Sequence, residues 1–169
     1  MGIDLQCYHR TLEQCFPDLV ISSIEFVGGG SFRVFAVNHR WIFRLPHSAQ
    51  GGALLRHERS VYDTLQLLLS LPIPRFTYFS EGCPLFPRPI AGYAMLPGKP
   101  MQRCDLDPAA QQHLGAQIGR FLTELHNISP SKLHGIALPA STPSQERERQ
   151  RTLYNQIQQL AFPLLNAWQ

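Results

Sequence analysis

The alternation of apolar and polar residues changes along the chain, from a pattern typical of strands to one typical of helices. In the first part, short runs rich in β-branched and aromatic residues are separated by glycine, proline and polar turns. The elements predicted there are a helix over 4–16, strands over 20–27, 32–37 and 40–45, a helix over 53–71, and strands over 75–79 and 90–95. From Asp107 or Pro108 onward, helical spacing predicts a long helix and then a second one from about Gln145.

This order of elements predicts an α+β fold, because a strand-rich part precedes a part made only of helices. The polar turn Asn38-His39 joins two of the strands into a hairpin. We expect an antiparallel sheet of about five strands with one covering helix. Residues 164–169 contain no helix-stop signal, from which we expect either that the natural fold continues or that the chain was cut.

Composition and charge exclude several classes of protein. Apolar residues make up 44% and charged residues 16% of the chain, which excludes wholesale disorder. The net charge is +3 and no concentrated basic patch is visible, so we expect no nucleic-acid partner. No apolar stretch approaches the roughly 18 residues of a membrane helix, and the N-terminus lacks a signal core. We therefore expect a cytoplasmic protein with reduced thiols and, because no CxxC spacing occurs, no zinc site.

A glycine-rich segment, Gly28-Gly29-Gly30-Ser31, lies between two predicted strands. Glycine lets backbone N–H groups approach a ligand and point at phosphate oxygens. The segment lacks the GK[ST] of a Walker loop, and it precedes a strand, whereas a dinucleotide-binding loop opens a helix. It is therefore either a phosphate-binding loop of another kind or a flexible hairpin loop.

An arginine and a glutamate lie where they could meet behind this loop. Residues two apart share a face of a strand, so Ile42 and Arg44 point the same way, and Ile42 could lie under a base while Arg44 reaches a phosphate. On the following helix, Glu58 is four residues from both Leu54 and Tyr62, which places it on the apolar stripe that faces the sheet. A carboxylate there is costly unless it is paired, and Arg44 is the expected partner. The alternative is that both side chains are partly solvated.

Together, the glycine loop, the basic residue and the helix acid resemble the aminoglycoside phosphotransferase family, which is linked to antibiotic resistance and has a protein-kinase-like fold. The resemblance covers roughly residues 20–130 and is carried by VGGGSFRVFAVNHRWIFRLPH, LLRHERSVYDTLQ, LPIPRFTYFSEG, IAGYAMLPGKPM and IGRFLTELHNI. It implies a nucleotide-dependent phosphotransferase that acts on an alcohol group with ATP or GTP. It also implies a nucleotide-binding lobe with an N-terminal helix over 1–96, a hinge and linker over 97–106, and the incomplete start of a substrate-binding lobe over 107–169.

The resemblance assigns roles to individual positions. Arg44 occupies the place of the family's phosphate-binding lysine, which is a departure from the lysine rule, and Glu58 occupies the place of its helix partner. The hinge, whose backbone would hydrogen-bond a purine, corresponds to Ala94, Met95, Leu96, Pro97 and Gly98. Because proline has no N–H, the expected donor is Leu96 or Gly98. The alternative for this segment is a plain linker between lobes.

The resemblance also identifies chemistry that is missing. The family orients its acceptor hydroxyl with the aspartate of a His-Gly-Asp motif, and later Asn and Asp residues hold magnesium. Here His134-Gly135 is followed by Ile136, and the last aspartate is Asp107, a favoured helix N-cap. We therefore expect neither a catalytic residue nor a metal ligand in this chain.

These observations lead to competing functional hypotheses. The first is the nucleotide-binding portion of a small-molecule kinase that is inactive by itself. The second is a non-catalytic module that pairs with a separate C-terminal half, or with itself, through residues 145–169, including Phe162, Leu164, Leu165 and Trp168. The third is an unrelated α+β domain with a coincidental glycine loop. An aminoglycoside, a choline-like or a homoserine-like acceptor, and either ATP or GTP, remain open.

Overall fold

One antiparallel sheet organises the first half of the chain in the computed structural model, which describes residues 3–98, 105–133, 136 and 142–160. Its strands lie in the order β1-β2-β3-β5-β4. The strands are β1 (Ile24–Gly29), β2 (Phe32–Val37), β3 (Trp41–Pro46), β4 (Phe76–Ser80) and β5 (Ile90–Ala94). The helices are α1 (Leu5–Cys15), α2 (Ala49–Leu65), α3 (Pro108–His126) and α4 (Pro143–Leu160), with a short 3₁₀ helix over Pro130–Leu133. The predicted α+β class and five-stranded antiparallel sheet are confirmed.

Strand β1 begins later than predicted because the turn between β2 and β3 forms hydrogen bonds with the segment that precedes β1. The side-chain oxygen of Asn38 accepts hydrogen bonds from the N–H groups of Ser22 and Ser23, and its amide nitrogen donates to the carbonyl of Val20. Both Asn38 and His39 have positive φ angles, 53° and 49°, as a tight hairpin turn requires. The residues before Ile24 therefore wrap around the turn and do not pair with β2.

Helix α2 begins four residues earlier than predicted. Ser48 caps it by accepting a hydrogen bond from the N–H of Gly51 at 3.2 Å. The two glycines that suggested a loop are needed for close packing, since a Cβ on Gly51 would lie 2.9 Å from Pro46 and one on Gly52 would lie 2.9 Å from Pro89. Tertiary contact therefore outweighs the poor helix propensity of glycine here.

Two helices pack against opposite faces of the sheet. The larger core lies between α1 and one face, and its buried members are Leu12, Phe16, Leu19, Phe35, Val37, Phe43, Leu45, Phe86 and Ile90. The smaller core lies under α2 on the other face and consists of Phe32, Leu55 and Ala91. Leu55, not Leu54, is the buried leucine of α2, so the apolar stripe is rotated by one residue from the prediction. Glu58 still faces the sheet because it lies three residues from Leu55.

A disulfide joins Cys15, at the end of α1, to Cys83 in the loop between β4 and β5, with a Cα–Cα distance of 5.4 Å. The expectation of reduced thiols is wrong for this pair in the structure. Cys7 is a free, exposed thiol. The bond fastens α1 to the far edge of the sheet, which reinforces the larger core.

The helical part of the chain starts as predicted. Asp107 caps α3 by accepting a hydrogen bond from the N–H of Ala110 at 2.7 Å. Glu124 of α3 accepts from both the N–H and the hydroxyl of Ser70, at 2.8 and 2.6 Å. These bonds tie α3 to the segment that follows α2.

The chain divides into two compact units, Met1–Ile136 and Ala137–Gln169. Helix α4 belongs to the second unit, where Leu153 and Tyr154 are exposed. The predicted lobe boundary at 97–106 lies largely outside the described residues, as do Phe162, Leu164, Leu165 and Trp168. Within the described part of the chain, no helix combines the length and apolar character needed to cross a bilayer.

Candidate functional site

The Arg44 side chain meets Glu58 in a two-pronged ion pair between β3 and α2. Nη1 of Arg44 lies 2.5 Å from Oε2 of Glu58, and Nη2 lies 3.3 Å from Oε1. Each side chain is 17% exposed. Such bidentate, charge-assisted bonds fix the plane of the guanidinium as well as its position. The predicted contact is present, and its role in ligand binding stays a prediction.

Aromatic rings surround this ion pair. The Cζ atom of Arg44 lies 4.2 Å from the centre of the Phe32 ring. Burial raises the pKa of the Tyr62 hydroxyl above its ordinary value of 10.0, the charge of Glu58 adds to that rise, and Arg44 opposes it. Burial likewise raises the pKa of Tyr93, and Arg44 again opposes the rise. The two phenols therefore stay neutral beside the pair at ordinary pH.

The glycine loop forms the tip of the β1–β2 hairpin, and its three glycines have different structural reasons. Gly28 has φ = +145°, which side-chain-bearing residues rarely adopt, and a Cβ on Gly29 would collide with the carbonyl of Phe32. At Gly30 a Cβ would meet nothing within 4 Å. The local fold thus explains the first two glycines but not Gly30, whose bare backbone faces open space.

The loop is attached to the strand that carries Arg44. The carbonyl of Ser31 accepts a hydrogen bond from the N–H of His47 at 3.3 Å. Between the loop and the start of α2 lies a cleft of about 580 Å³. It is lined by Gly30, Ser31, His47, Ser48, Gln50, Gly51, Ala53, Leu54 and His57. The cleft therefore opens directly beside the glycine loop, and its lining residue His57 is next to Glu58 in the chain.

Comparison with known proteins gives this arrangement a context. The model of the phosphotransferase enzyme family matches residues 23–169. The chain belongs to the phosphotransferase enzyme family. No curated protein sequence matches it closely.

Solved phosphotransferase structures share the fold. The GDP and kanamycin complex of APH(2")-IIia is 25% identical over 93% of this chain and 52% of that chain, with a TM-score of 0.75. The GDP complex of wild-type aminoglycoside 2'-phosphotransferase-IIIa is 23% identical over 96% of this chain and 54% of that one, with a TM-score of 0.78. The macrolide 2'-phosphotransferase MphH from Brachybacterium faecium is 18% identical over 98% and 56%, with a TM-score of 0.63. The chain thus spans about half the length of these structures.

The segment predicted to be the hinge of this phosphotransferase family member follows β5, where Ala94 pairs with Trp41. The N–H of Met95 donates to the carbonyl of Arg40 at 2.8 Å, so it extends the sheet and is not available to a purine. Within residues 3–98 and 105–133, the N–H groups of Leu96 and Gly98 have no hydrogen-bond acceptor. Of the predicted hinge positions, these two therefore keep a donor for a ligand.

Several members of the candidate site in this phosphotransferase family member were not found from sequence. Phe32, Tyr62 and Tyr93 have the composition of ordinary core or strand residues, so no pattern distinguished them. His47 and His57 line the cleft only because α2 starts early and brings its first turns to the glycine loop.

Ile42, which was predicted from sequence, pairs with Tyr93 on β5 and is half-buried, as a platform for a flat ligand would be.

The sequence His134-Gly135-Ile136 has isoleucine where the family's His-Gly-Asp motif has aspartate. Ile136 donates its N–H to the carbonyl of Leu133, while His134 and Gly135 lie outside the described residues. Among the residues that the structure describes, no three His, Cys, Asp or Glu side chains converge as metal ligands. The residues described do not fit a magnesium site, and we assign no step to this ion.

Proposed function

We propose that this chain binds the triphosphate and base of ATP or GTP, as the nucleotide-binding portion of a phosphotransferase that acts on an alcohol group. The observation that carries the proposal is the largely buried Arg44–Glu58 pair, whose arginine contacts the ring of Phe32, the residue that follows the glycine loop. A pair of charges removed from water contributes little net stability, so we attribute this pair to ligand binding and not to folding.

Each part of the site has a role in this proposal. Arg44, held by Glu58, contacts phosphate oxygens, and the backbone N–H groups of the glycine loop surround the remaining oxygens. The base lies against Ile42 and receives a hydrogen bond from Leu96 or Gly98. Related structures support a nucleotide ligand, because their complexes contain GDP, ADP or ATP.

We further propose that the chain by itself does not transfer phosphate. The last aspartate, Asp107, is engaged as the cap of α3, and Ile136 has no proton-accepting group. Without a base or a metal clamp, a bound nucleotide lacks the groups that orient an acceptor and neutralise developing charge. The related structures suggest an aminoglycoside or a macrolide as the acceptor. The residues of the nucleotide site do not determine which of the two is used.

Isothermal titration with ATP and GTP tests nucleotide binding. We expect binding by the wild type and at least a tenfold loss of affinity in Arg44→Ala and in Glu58→Ala. The matched control is Arg56→Ala. This change removes an arginine of α2 that forms an exposed ion pair with Glu81. Absence of binding by the wild type, or equal affinity in Arg44→Ala, would overturn the proposal.

A second candidate function, association with a separate C-terminal half or with a second copy, is favoured by the surface of α3. Ile118 and Leu122 lie one turn apart on this helix and are 47% and 42% exposed. We expect sedimentation analysis to detect self-association that Ile118→Ser and Leu122→Ser together abolish. A monomer at all concentrations, and no complex with an added C-terminal half, would exclude this role.

A further inference from the structure

Phe32 contacts a face of the Arg44 guanidinium, whereas Glu58 binds its edge. Glu58 accepts hydrogen bonds from the two terminal nitrogens at the edge of the guanidinium. The central carbon of the same group lies 4.2 Å from the centre of the Phe32 ring, well within the range of a cation–π contact. Arg44 is therefore held both at its edge and at a face.

The position of Phe32 follows from strand register. Arg44 pairs with Val34 across β2 and β3, and Phe32 lies two residues from Val34 on the same face. The Phe32 ring is 8% exposed and packs with Leu55 and Ala91. Phe32 also follows Ser31 directly in the chain, so the residue next to the glycine loop is the one that contacts the guanidinium.

We propose that Phe32 is a positioning residue for Arg44 and that its ring makes this site suited to arginine in place of lysine. The inference rests on the proposed nucleotide-binding function. A guanidinium is planar, so it can stack on a ring while its edge binds a carboxylate in two places. A lysine ammonium is a compact charge on a flexible stem, so it cannot lie flat on the ring or bind a carboxylate in two places. Without the ring, Arg44 turns more freely about its side chain and presents its charge to a phosphate less often.

A double-mutant cycle separates this role from simple core filling. We expect Phe32→Leu to weaken nucleotide binding by about tenfold when residue 44 is arginine, given the strength of a partly buried cation–π contact. In the Arg44→Lys background the same change should cost less than about twofold, because the stacked group is already gone. An equal loss of affinity in both backgrounds overturns the proposal.

Two further variants keep the test decisive if Phe32→Leu folds poorly. Phe32→Tyr preserves the ring face and should retain wild-type affinity. Phe79→Leu is the matched control, since Phe79 packs on the same small core and carries a different arginine, Arg59, at 4.5 Å from its centre. We expect Phe79→Leu to leave nucleotide affinity within about twofold. A loss as large as that of Phe32→Leu would mean that core packing alone matters.

Nuclear magnetic resonance of the Arg44 guanidinium distinguishes failure of this inference from failure of the nucleotide proposal. In the wild type, the Phe32 ring current should displace the Nε–H signal and rotation of the group should be slow. In Phe32→Leu the displacement should disappear and the rotation should become faster, while the bonds to Glu58 still hold the edge of the group. If the wild type shows both effects but binds no nucleotide, the nucleotide proposal fails and the positioning contact stands. Unchanged Arg44 signals in Phe32→Leu overturn the positioning role whether or not nucleotide binds.

Discussion

Arg44 on β3 and Glu58 on α2 face each other at 2.5 Å, with equal and small exposure to solvent. Removing one partner leaves the other charge without compensation in a poorly hydrated place. We expect Glu58→Ala to lower the free energy of unfolding by about 3 kcal/mol. The double variant Arg44→Met, Glu58→Leu should regain most of that loss, because apolar residues replace both charges. Urea denaturation measures both.

The control for that series is the exposed pair formed by Arg56 and Glu81. Its side chains are 51% and 64% exposed, so Glu81→Ala should cost less than about 1 kcal/mol. A cost for Glu58→Ala as small as that for Glu81→Ala would show that burial of the Arg44 pair has no energetic consequence.

Two neighbouring glycines should separate stability from ligand binding. Gly29→Ala places a Cβ against the carbonyl of Phe32, so we expect a clear loss of stability. Gly30→Ala meets no neighbour and should leave thermal stability unchanged while lowering nucleotide affinity, because the methyl group blocks approach of phosphate to the backbone. Thermal denaturation and calorimetric titration of both variants test this. Unaltered affinity in Gly30→Ala would argue against phosphate contact at this position.

The segment predicted to be the hinge offers a similar pair of substitutions. Met95→Pro removes the N–H that bonds to Arg40 and should destabilise the sheet edge. Leu96→Pro removes an N–H that has no acceptor in the described residues, so stability should change little. Purine binding should nevertheless fall in Leu96→Pro if this group is the donor. Retained affinity there would transfer the role to Gly98.

The disulfide between Cys15 and Cys83 closes a loop with a sequence separation of 68 residues. Because the bond limits the freedom of the unfolded chain, its reduction should lower the free energy of unfolding by about 2–4 kcal/mol. Denaturation with and without reductant measures the difference, and Cys7→Ser serves as a control for the exposed thiol. A non-reduced digest that contains no Cys15–Cys83 peptide would contradict the bond.

Alkaline pH should weaken the protein through Tyr62 and Tyr93. Their pKa values are raised in the folded state, so folding favours the neutral phenols. The resulting stability is complete below the unfolded pKa near 10 and is lost as pH rises through the higher folded values. Tyr62→Phe with Tyr93→Phe should flatten the decline of unfolding free energy between pH 9 and 11.

The contact between Arg44 and Glu58 could be predicted because two independent periodicities converge on it. A two-residue repeat orients the arginine, and a helical repeat orients the glutamate even though the buried leucine is Leu55 instead of Leu54. The start of α2 could not be predicted, since the reason for Gly51 lies in its contact with Pro46. Sequence shows local preference, and this helix start depends on packing between elements.

Contacts between residues distant in the chain could not be predicted from the sequence patterns either. The spacing of Cys15 and Cys83 contains no motif, and reasoning from the expected compartment led to reduced thiols. Phe32 has the appearance of any aromatic strand residue. Its contact with Arg44 depends on register between β2 and β3, which the alternation of residues does not reveal by itself.

The close packing of Gly51 and Gly52 against two prolines restricts how α2 can move. A sideways swing of the helix would press its backbone into the rings of Pro46, the last residue of β3, and Pro89, just before β5, which lie at the same end of these two paired strands. Glu58 is therefore kept in register with β3 before any ligand arrives. An incoming nucleotide meets a preorganised cation and does not have to supply the energy of rotating a helix into place.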